Sequence, residues 1–182
     1  MKYKDVSSLL ANELTLDESP ETRQLVRDLR VVRQRGYLTK GEFLAICRWK
    51  SPRAIKLCEN NSHHQIRRQS AMAFASRSER VRFEALTALH GVAAPMASAI
   101  LMLTNPRRYG VIDIRVWQLL FDLGSVRTKP GGVGFEFSDW YHYLMKLRYH
   151  AKKLEVSVRT VEYSLFLYHQ RVQRGALYGS TR

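Results

Sequence analysis

Cysteine is scarce in this chain: Cys47 and Cys58 are the only two among 182 residues. Two cysteines do not build a disulfide framework in a chain of this length. They also exclude a site of four cysteines, whether it would hold zinc or an iron–sulfur cluster. We therefore expect a fold that is stabilised by an apolar core, with no cofactor required and no iron–sulfur cluster.

Long apolar runs are missing as well. No stretch approaches the ~18 apolar residues that a membrane-spanning helix needs, and residues 1–20 lack the features of a secretory signal peptide. The sequence therefore predicts an intracellular, cytoplasmic protein with no membrane partner.

Acidic residues are few beside basic ones, with 16 Asp and Glu against 30 Lys and Arg and a net charge of +14. The excess is uneven, because residues 1–50 carry a net charge of +3 and residues 51–182 carry +11. Such a charge favours a polyanionic partner, most simply nucleic acid. A merely solvated basic surface, or binding to an acidic protein, is the alternative.

Patterns typical of paired strands are also missing, and helical periodicity dominates. Residues 20–35 place apolar side chains on one helix face, and Thr39 with Glu42 forms a capping-box pattern. We predict an all-α fold: one compact domain over 1–182 with eight or nine helices, which could form two lobes around a cleft. Its main segments are a hairpin over 85–103, a helix over 111–124 and C-terminal helices over 138–173.

A tight turn joins two apolar helices at Leu89-His90-Gly91-Val92, and the second helix begins near Pro95. Glycine lets a backbone approach a ligand closely, and the free amides of a helix N-terminus attract anions such as phosphate. Further along, Asp113 stands alone in the apolar run of residues 111–116. Because burying an unpaired carboxylate is costly, Asp113 is expected to be a helix cap, a paired charge or a catalytic group.

The two features together resemble the helix-hairpin-helix DNA glycosylase superfamily, whose hairpin has the pattern L-P-G-V-G-x-K-x-A. Matching positions of the hairpin are Leu89, Gly91, Val92 and Ala97. The superfamily's second motif, an acid four residues before a tryptophan, is matched by Ile112, Asp113, Arg115, Val116 and Trp117. The pattern is nearest to the 8-oxoguanine glycosylase branch, and the resemblance covers residues 85–124.

The resemblance implies that Asp113 is catalytic. A carboxylate there would stabilise the positive charge that builds on the deoxyribose as the base leaves, and would activate the attacking water. Pro95 stands where some members carry a lysine that forms a Schiff base, so no imine can form at this position. The resemblance therefore implies a monofunctional enzyme without lyase activity. Lys50 is a surface lysine, a DNA contact or a displaced nucleophile, and the first is favoured.

Three further sets of residues follow from the resemblance and the charge. The predicted DNA contacts are His90, Gly91, Val92, Ala93, Ala94, Arg107, Arg108 and Arg115. The candidate walls of a pocket for a flipped base are Trp49, Lys50, Tyr109, Trp117 and Trp140. A structural Na⁺ or K⁺ would be held by the main-chain carbonyls of Thr87, Leu89 and Val92.

The leading hypothesis is a monomeric DNA glycosylase that flips a damaged or modified base from double-stranded DNA and hydrolyses its N-glycosidic bond. Such an enzyme would associate with the nucleoid when bound to DNA. Its role would be base excision repair or antiviral defence against modified phage DNA. The main alternative is a DNA-binding module that keeps the hairpin for phosphate contact and has no catalytic activity.

Overall fold

A computed structural model describes residues 2–174 and 177 of the chain. Residues 1, 175, 176 and 178–182 of the predicted domain lie outside the described part. The helices within the described part are α1 (Val6–Glu13), α2 (Pro20–Asp28), α3 (Arg30–Arg35), α4 (Lys40–Lys50), α5 (Ile55–Glu59), α6 (His63–Ala75), α7 (Glu79–Thr87), α8 (Ala94–Thr104), α9 (Ile114–Asp122), α10 (Phe137–Lys153) and α11 (Val158–Val172).

The all-α prediction is confirmed, since no strand occurs in the described residues. The predicted helix over 20–35 is divided into α2 and α3 at Leu29, whose backbone leaves the helical region. A single 3₁₀ turn, Pro52–Ala54, joins α4 to α5. Helix α1, which begins after the cap Asp5, was not predicted from the sequence.

Helix starts follow the polar residues that the sequence offers as caps. Thr39 and Glu42 form the predicted capping box, and Ser78 and Ser157 accept backbone N–H groups at the starts of α7 and α11. Ser138 does not cap the next-to-last helix, α10. That helix begins at Phe137, after the N-cap Glu136, whose backbone N–H donates to the Asp139 carboxylate.

Helix α8 forms the centre of the core. Ten of its eleven residues are buried, and α2, α3, α4, α7 and α10 all pack against it. Helix α11 packs against α1, α9 and α10 on the other side of the molecule. Because α8 carries the hairpin at its N-terminus, a deeply buried helix holds the turn in place.

No helix in the described part of the chain is long and apolar enough to cross a membrane.

Candidate active site

The hairpin turn is stabilised by hydrogen bonds and packing with residues that the sequence did not identify. The buried Asn61 side chain donates to the carbonyl of His90 and accepts the His90 N–H, both at 2.9 Å. Gly91 has a φ of +77°, and a Cβ atom there would lie 2.8 Å from the Sγ of Cys58. The turn therefore requires glycine for its backbone conformation and for its close packing on α5.

The approach to α9 is fixed to α8 by a short chain of hydrogen bonds. The Ile112 N–H donates to the Ser98 hydroxyl at 3.0 Å, and that hydroxyl donates to the carbonyl of Pro95 at 2.8 Å. Asp113 follows as the N-cap of α9, where its Oδ1 accepts the Arg115 N–H at 3.0 Å. The hairpin and the acid are thus brought together, and the capping role considered for Asp113 is confirmed.

Lys50 forms an ion pair with Asp113. Its Nζ lies 2.9 Å from Oδ2 of Asp113, and the two side chains are 16% and 18% exposed. Burial alone would raise the pKa of Asp113, but the charge and hydrogen bond of Lys50, together with the Arg115 N–H, hold it below the ordinary value. Asp113 is therefore an ionised, paired acid, and Lys50 is not the surface lysine that the sequence favoured.

The ion pair borders two cavities. The first, which we call the hairpin cleft, has a volume of about 490 Å³ and is lined by Lys50, Ser51, Arg53, Ala54, Gly91, Ala93, Pro95, Met96, Asp113, Ile114, Gly132, Val133, Gly134 and Phe135. The second, the aromatic cavity, has a volume of about 460 Å³. It is lined by Ser19, Thr22, Trp49, Lys50, Val111, Asp113, Arg159, Glu162, Tyr163, Phe166, Leu167 and Gln170.

The loop over 128–134 forms one rim of the hairpin cleft. Gly132 has a φ of +66° and packs so closely on Ile114 that a Cβ atom would lie 3.1 Å from that residue's carbonyl oxygen. Lys129 fixes the loop by donating to the Gly134 carbonyl and to the Asp139 carboxylate. Val133 is consequently held at the rim with 56% of its surface exposed. The sequence did not place this loop beside Asp113.

Aromatic rings line the second cavity. Tyr163 and Phe166 stack with their centroids 6.3 Å apart, and the Arg159 guanidinium lies 4.6 Å from the Tyr163 centroid. Trp49 lies on α4, and a hydrogen bond from its indole N–H to the Thr22 hydroxyl on α2 fixes its position. Tyr163 and Phe166 are half-buried and border the cavity, and Phe166 also packs against the hydrophobic core.

A buried charge cluster closes the inner end of the aromatic cavity. Arg159 pairs with both Glu18 and Glu162, and Glu162 also accepts the Val111 N–H at 3.3 Å. Complete burial raises the pKa of Glu162, although the Arg159 charge opposes that shift. These residues were missed from the sequence because their partners are up to 141 positions apart.

Only Trp49 and Lys50 of the predicted base-pocket residues border these cavities. Trp140 is buried against Phe83, and the Tyr109 hydroxyl donates to Glu79 at 3.0 Å. The Trp117 indole N–H donates to the Lys129 carbonyl at 2.9 Å. Tyr109, Trp117 and Trp140 therefore do not belong to the pocket, since large aromatic side chains are largely used to fill the core.

The predicted DNA contacts are divided between two places. His90, Gly91 and Ala93 are at least partly accessible at the turn, whereas Val92 and Ala94 are buried beneath it. Arg107 and Arg108 are exposed at the other end of α8, about 16 Å from the turn at ~1.5 Å per residue. They are not part of the hairpin site.

The Arg115 guanidinium donates to the amide oxygen of Gln173 at 2.8 Å. Its backbone N–H alone reaches the acid. The Leu89 carbonyl, one of three predicted cation ligands, accepts the Val92 N–H within the turn. No group of three or more His, Cys, Asp or Glu side chains suited to a metal ion occurs among residues 2–174.

The comparisons with protein families, curated proteins and solved structures found no match to this chain. The interpretation of the site therefore depends on its own geometry and on the resemblance within residues 85–124.

A larger cavity of about 710 Å³ lies elsewhere, against α10, and includes Arg127, His142 and Lys146. The acid that lines this cavity, Asp139, pairs with Lys129 and accepts the backbone N–H of Glu136 at the start of α10. Asp139 therefore has a structural role, and the pair Lys50–Asp113 is the better candidate for chemistry.

Proposed function

We propose that the protein is a DNA N-glycosylase, and the observation that carries the proposal is the position of Asp113 where the hairpin cleft meets the aromatic cavity. A flipped nucleotide has three parts that need different surroundings: an anionic backbone, a sugar and a planar base. The hairpin cleft offers Arg53 and the turn residues Gly91 and Ala93 to the backbone, and the aromatic cavity offers stacking surfaces to the base.

The sugar of such a nucleotide would lie between the two cavities, beside Asp113. As the N-glycosidic bond breaks, positive charge develops on the C1′ and O4′ atoms of the deoxyribose. An ionised carboxylate in a partly dry site stabilises that charge more strongly than water does. The cap bond from Arg115 and the ion pair with Lys50 fix Asp113 in one orientation, which removes the cost of reorganising it during the reaction.

Val133 supports the same proposal. A base that leaves the duplex creates a gap, and enzymes and architectural proteins that distort DNA commonly insert an apolar side chain into such a gap. Val133 is an exposed apolar residue at the rim of the hairpin cleft, on a loop that hydrogen bonds of Lys129 hold in place. It is therefore positioned to fill the space that the flipped base vacates.

The proposal is tested by incubating the protein with duplexes that carry oxidised, alkylated, deaminated and hypermodified bases. Released base is measured by chromatography, and abasic sites are measured by alkaline strand cleavage. Asp113→Asn is expected to lower the single-turnover rate by about 100-fold or more, as loss of one electrostatic group commonly does. Asp122→Asn removes an exposed acid from the same helix and is expected to leave the rate unchanged.

Release of no base from any duplex, or an undiminished rate for Asp113→Asn, would contradict the proposal. A non-catalytic DNA-binding module predicts salt-sensitive binding with little preference for a modified base, and equal binding by wild type and Asp113→Asn.

A further inference from the structure

The Lys50 amine is placed for chemistry rather than for solubility. It ends α4, yet its Nζ reaches across 63 positions of sequence to Asp113 and borders both cavities. A lysine that served solubility or long-range attraction to DNA would gain nothing from this degree of burial. A primary amine beside a carboxylate, at the place where a sugar carbon would lie, is instead the arrangement of an activated nucleophile.

We propose that Lys50 attacks C1′ of the flipped nucleotide and forms a covalent imine with the deoxyribose, so that the protein also cleaves the DNA strand. The inference rests on the proposed glycosylase function and deepens it. It departs from the hydrolysis expected from Pro95, because the amine missing from the hairpin is supplied by α4, whose Lys50 lines the same cleft as Pro95.

The step balances within the residues present. The Lys50 ammonium gives a proton to Asp113, and the free amine bonds to C1′ while the bond from C1′ to the base breaks. The leaving base takes the electron pair and receives the proton from Asp113. The attached nitrogen then loses a proton, O4′ gains one, and the C1′–O4′ bond opens to give the protonated imine.

Strand cleavage follows from the same pair of groups. The protonated imine acidifies the C2′ hydrogens, and Asp113, again ionised, removes one of them. The C3′–O bond then breaks with the 3′ phosphate as the leaving group. Water finally releases Lys50 from the sugar, so no external oxidant or reductant is needed.

The test uses a duplex with a preformed abasic site, made by removing uracil with a separate glycosylase, so that the natural base need not be known. The full chain is incubated with this duplex and sodium cyanoborohydride, which reduces an imine to a stable amine. We expect a covalent complex whose attached sugar is mapped to Lys50 by peptide mass spectrometry of the wild-type protein.

Two variants of Lys50 separate its covalent chemistry from its ion pair with Asp113. Lys50→Arg keeps the positive charge beside Asp113 but cannot form the imine, and Lys50→Gln removes both. Each is expected to lower trapping and strand cleavage without alkali by at least 100-fold. Lys152→Gln, which removes an exposed lysine in the last turn of α10, is expected to match wild type.

An absent adduct, an adduct mapped to another amine, or full trapping by Lys50→Arg would overturn the inference. Because mapping uses the wild type, an unfolded variant cannot decide the result. Base release without trapping would remove the covalent step and leave the glycosylase proposal standing. Trapping at Lys50 without release of any base would establish the amine chemistry and remove the glycosylase proposal.

Discussion

Asp113 has an environment in which the cost of burial is offset by direct partners. Its two oxygens are used separately, one by the backbone at the start of α9 and one by Lys50. An isolated carboxylate at this depth would gain a proton or destabilise the fold. The hydrogen bonds and the nearby ammonium instead keep it charged, which is the state that both proposed reactions require.

The lowered pKa of Asp113 makes a prediction about stability. Since this pKa is lower in the folded protein than in the unfolded chain, the carboxylate contributes fully to stability above the ordinary value of 3.8. That contribution is lost as the pH falls through the folded value. Asp113→Asn is therefore expected to lower the free energy of unfolding by about 1–3 kcal/mol at pH 7, and by less at pH 3.

Urea denaturation at both pH values measures the effect. Asp122→Asn serves as the control and is expected to follow the wild-type profile, because Asp122 is exposed. A difference between wild type and Asp113→Asn that stays the same or grows toward pH 3 would contradict the ionised pair.

At the scale of elements, the turn between α7 and α8 is a packed unit rather than a flexible link. Asn61 closes it with two hydrogen bonds, and the backbone of Gly91 lies against Cys58 and Leu57 on α5. Burial and the hydrogen bond with Cys58 raise the pKa of the Cys47 thiol beneath. Both cysteines are free and buried, so they contribute to packing under the turn.

Two glycines allow the strain and the packing of this turn to be separated. Gly36 and Gly91 have similar positive φ angles, +80° and +77°, but no atom lies within 4 Å of a Cβ built on Gly36. Gly36→Ala is therefore expected to lower the free energy of unfolding by about 1–2 kcal/mol from backbone strain alone. Gly91→Ala adds a steric clash of about 1–3 kcal/mol to a similar strain.

Thermal or urea denaturation of the two variants gives the comparison, and the larger loss is expected for Gly91→Ala. Equal losses would show that α5 moves aside at little cost and that the turn is not held tightly.

For the whole molecule, charge and hairpin position together favour the turn as the face that would contact DNA in the proposed glycosylase. The net charge of +14 provides long-range attraction to DNA, but attraction alone does not say which cations touch phosphate. Arg53 is exposed and borders the hairpin cleft, whereas Arg107 is exposed at the far end of α8. The two arginines should therefore differ in their effect on binding.

The salt dependence of binding to an undamaged duplex measures that difference. Each phosphate contact contributes about 0.9 to the slope of log K against log salt concentration. Arg53→Gln is expected to reduce the slope by about one, and Arg107→Gln is expected to leave it nearly unchanged. The reverse result would move the DNA to the other end of α8 and away from Asp113.

The helical class, most helix starts and two features of the candidate site, the hairpin and Asp113, were readable from the sequence. Helical periodicity and side-chain caps act within a few residues, so Thr39, Ser78 and Ser157 were predictable. The hairpin and Asp113 were predictable for a similar reason, since a short motif contains both.

The folded chain was needed to reveal the partner of Asp113, the aromatic walls and the loop at the cleft. These depend on contacts between distant segments, such as Lys50 with Asp113 and Arg159 with Glu18. From the local sequence, a lone lysine at a helix end is expected at the surface. The burial of Lys50 depends instead on where α4 packs against α8 and where α9 begins. That packing is a property of the complete core, and it places the Lys50 amine 2.9 Å from the candidate catalytic acid.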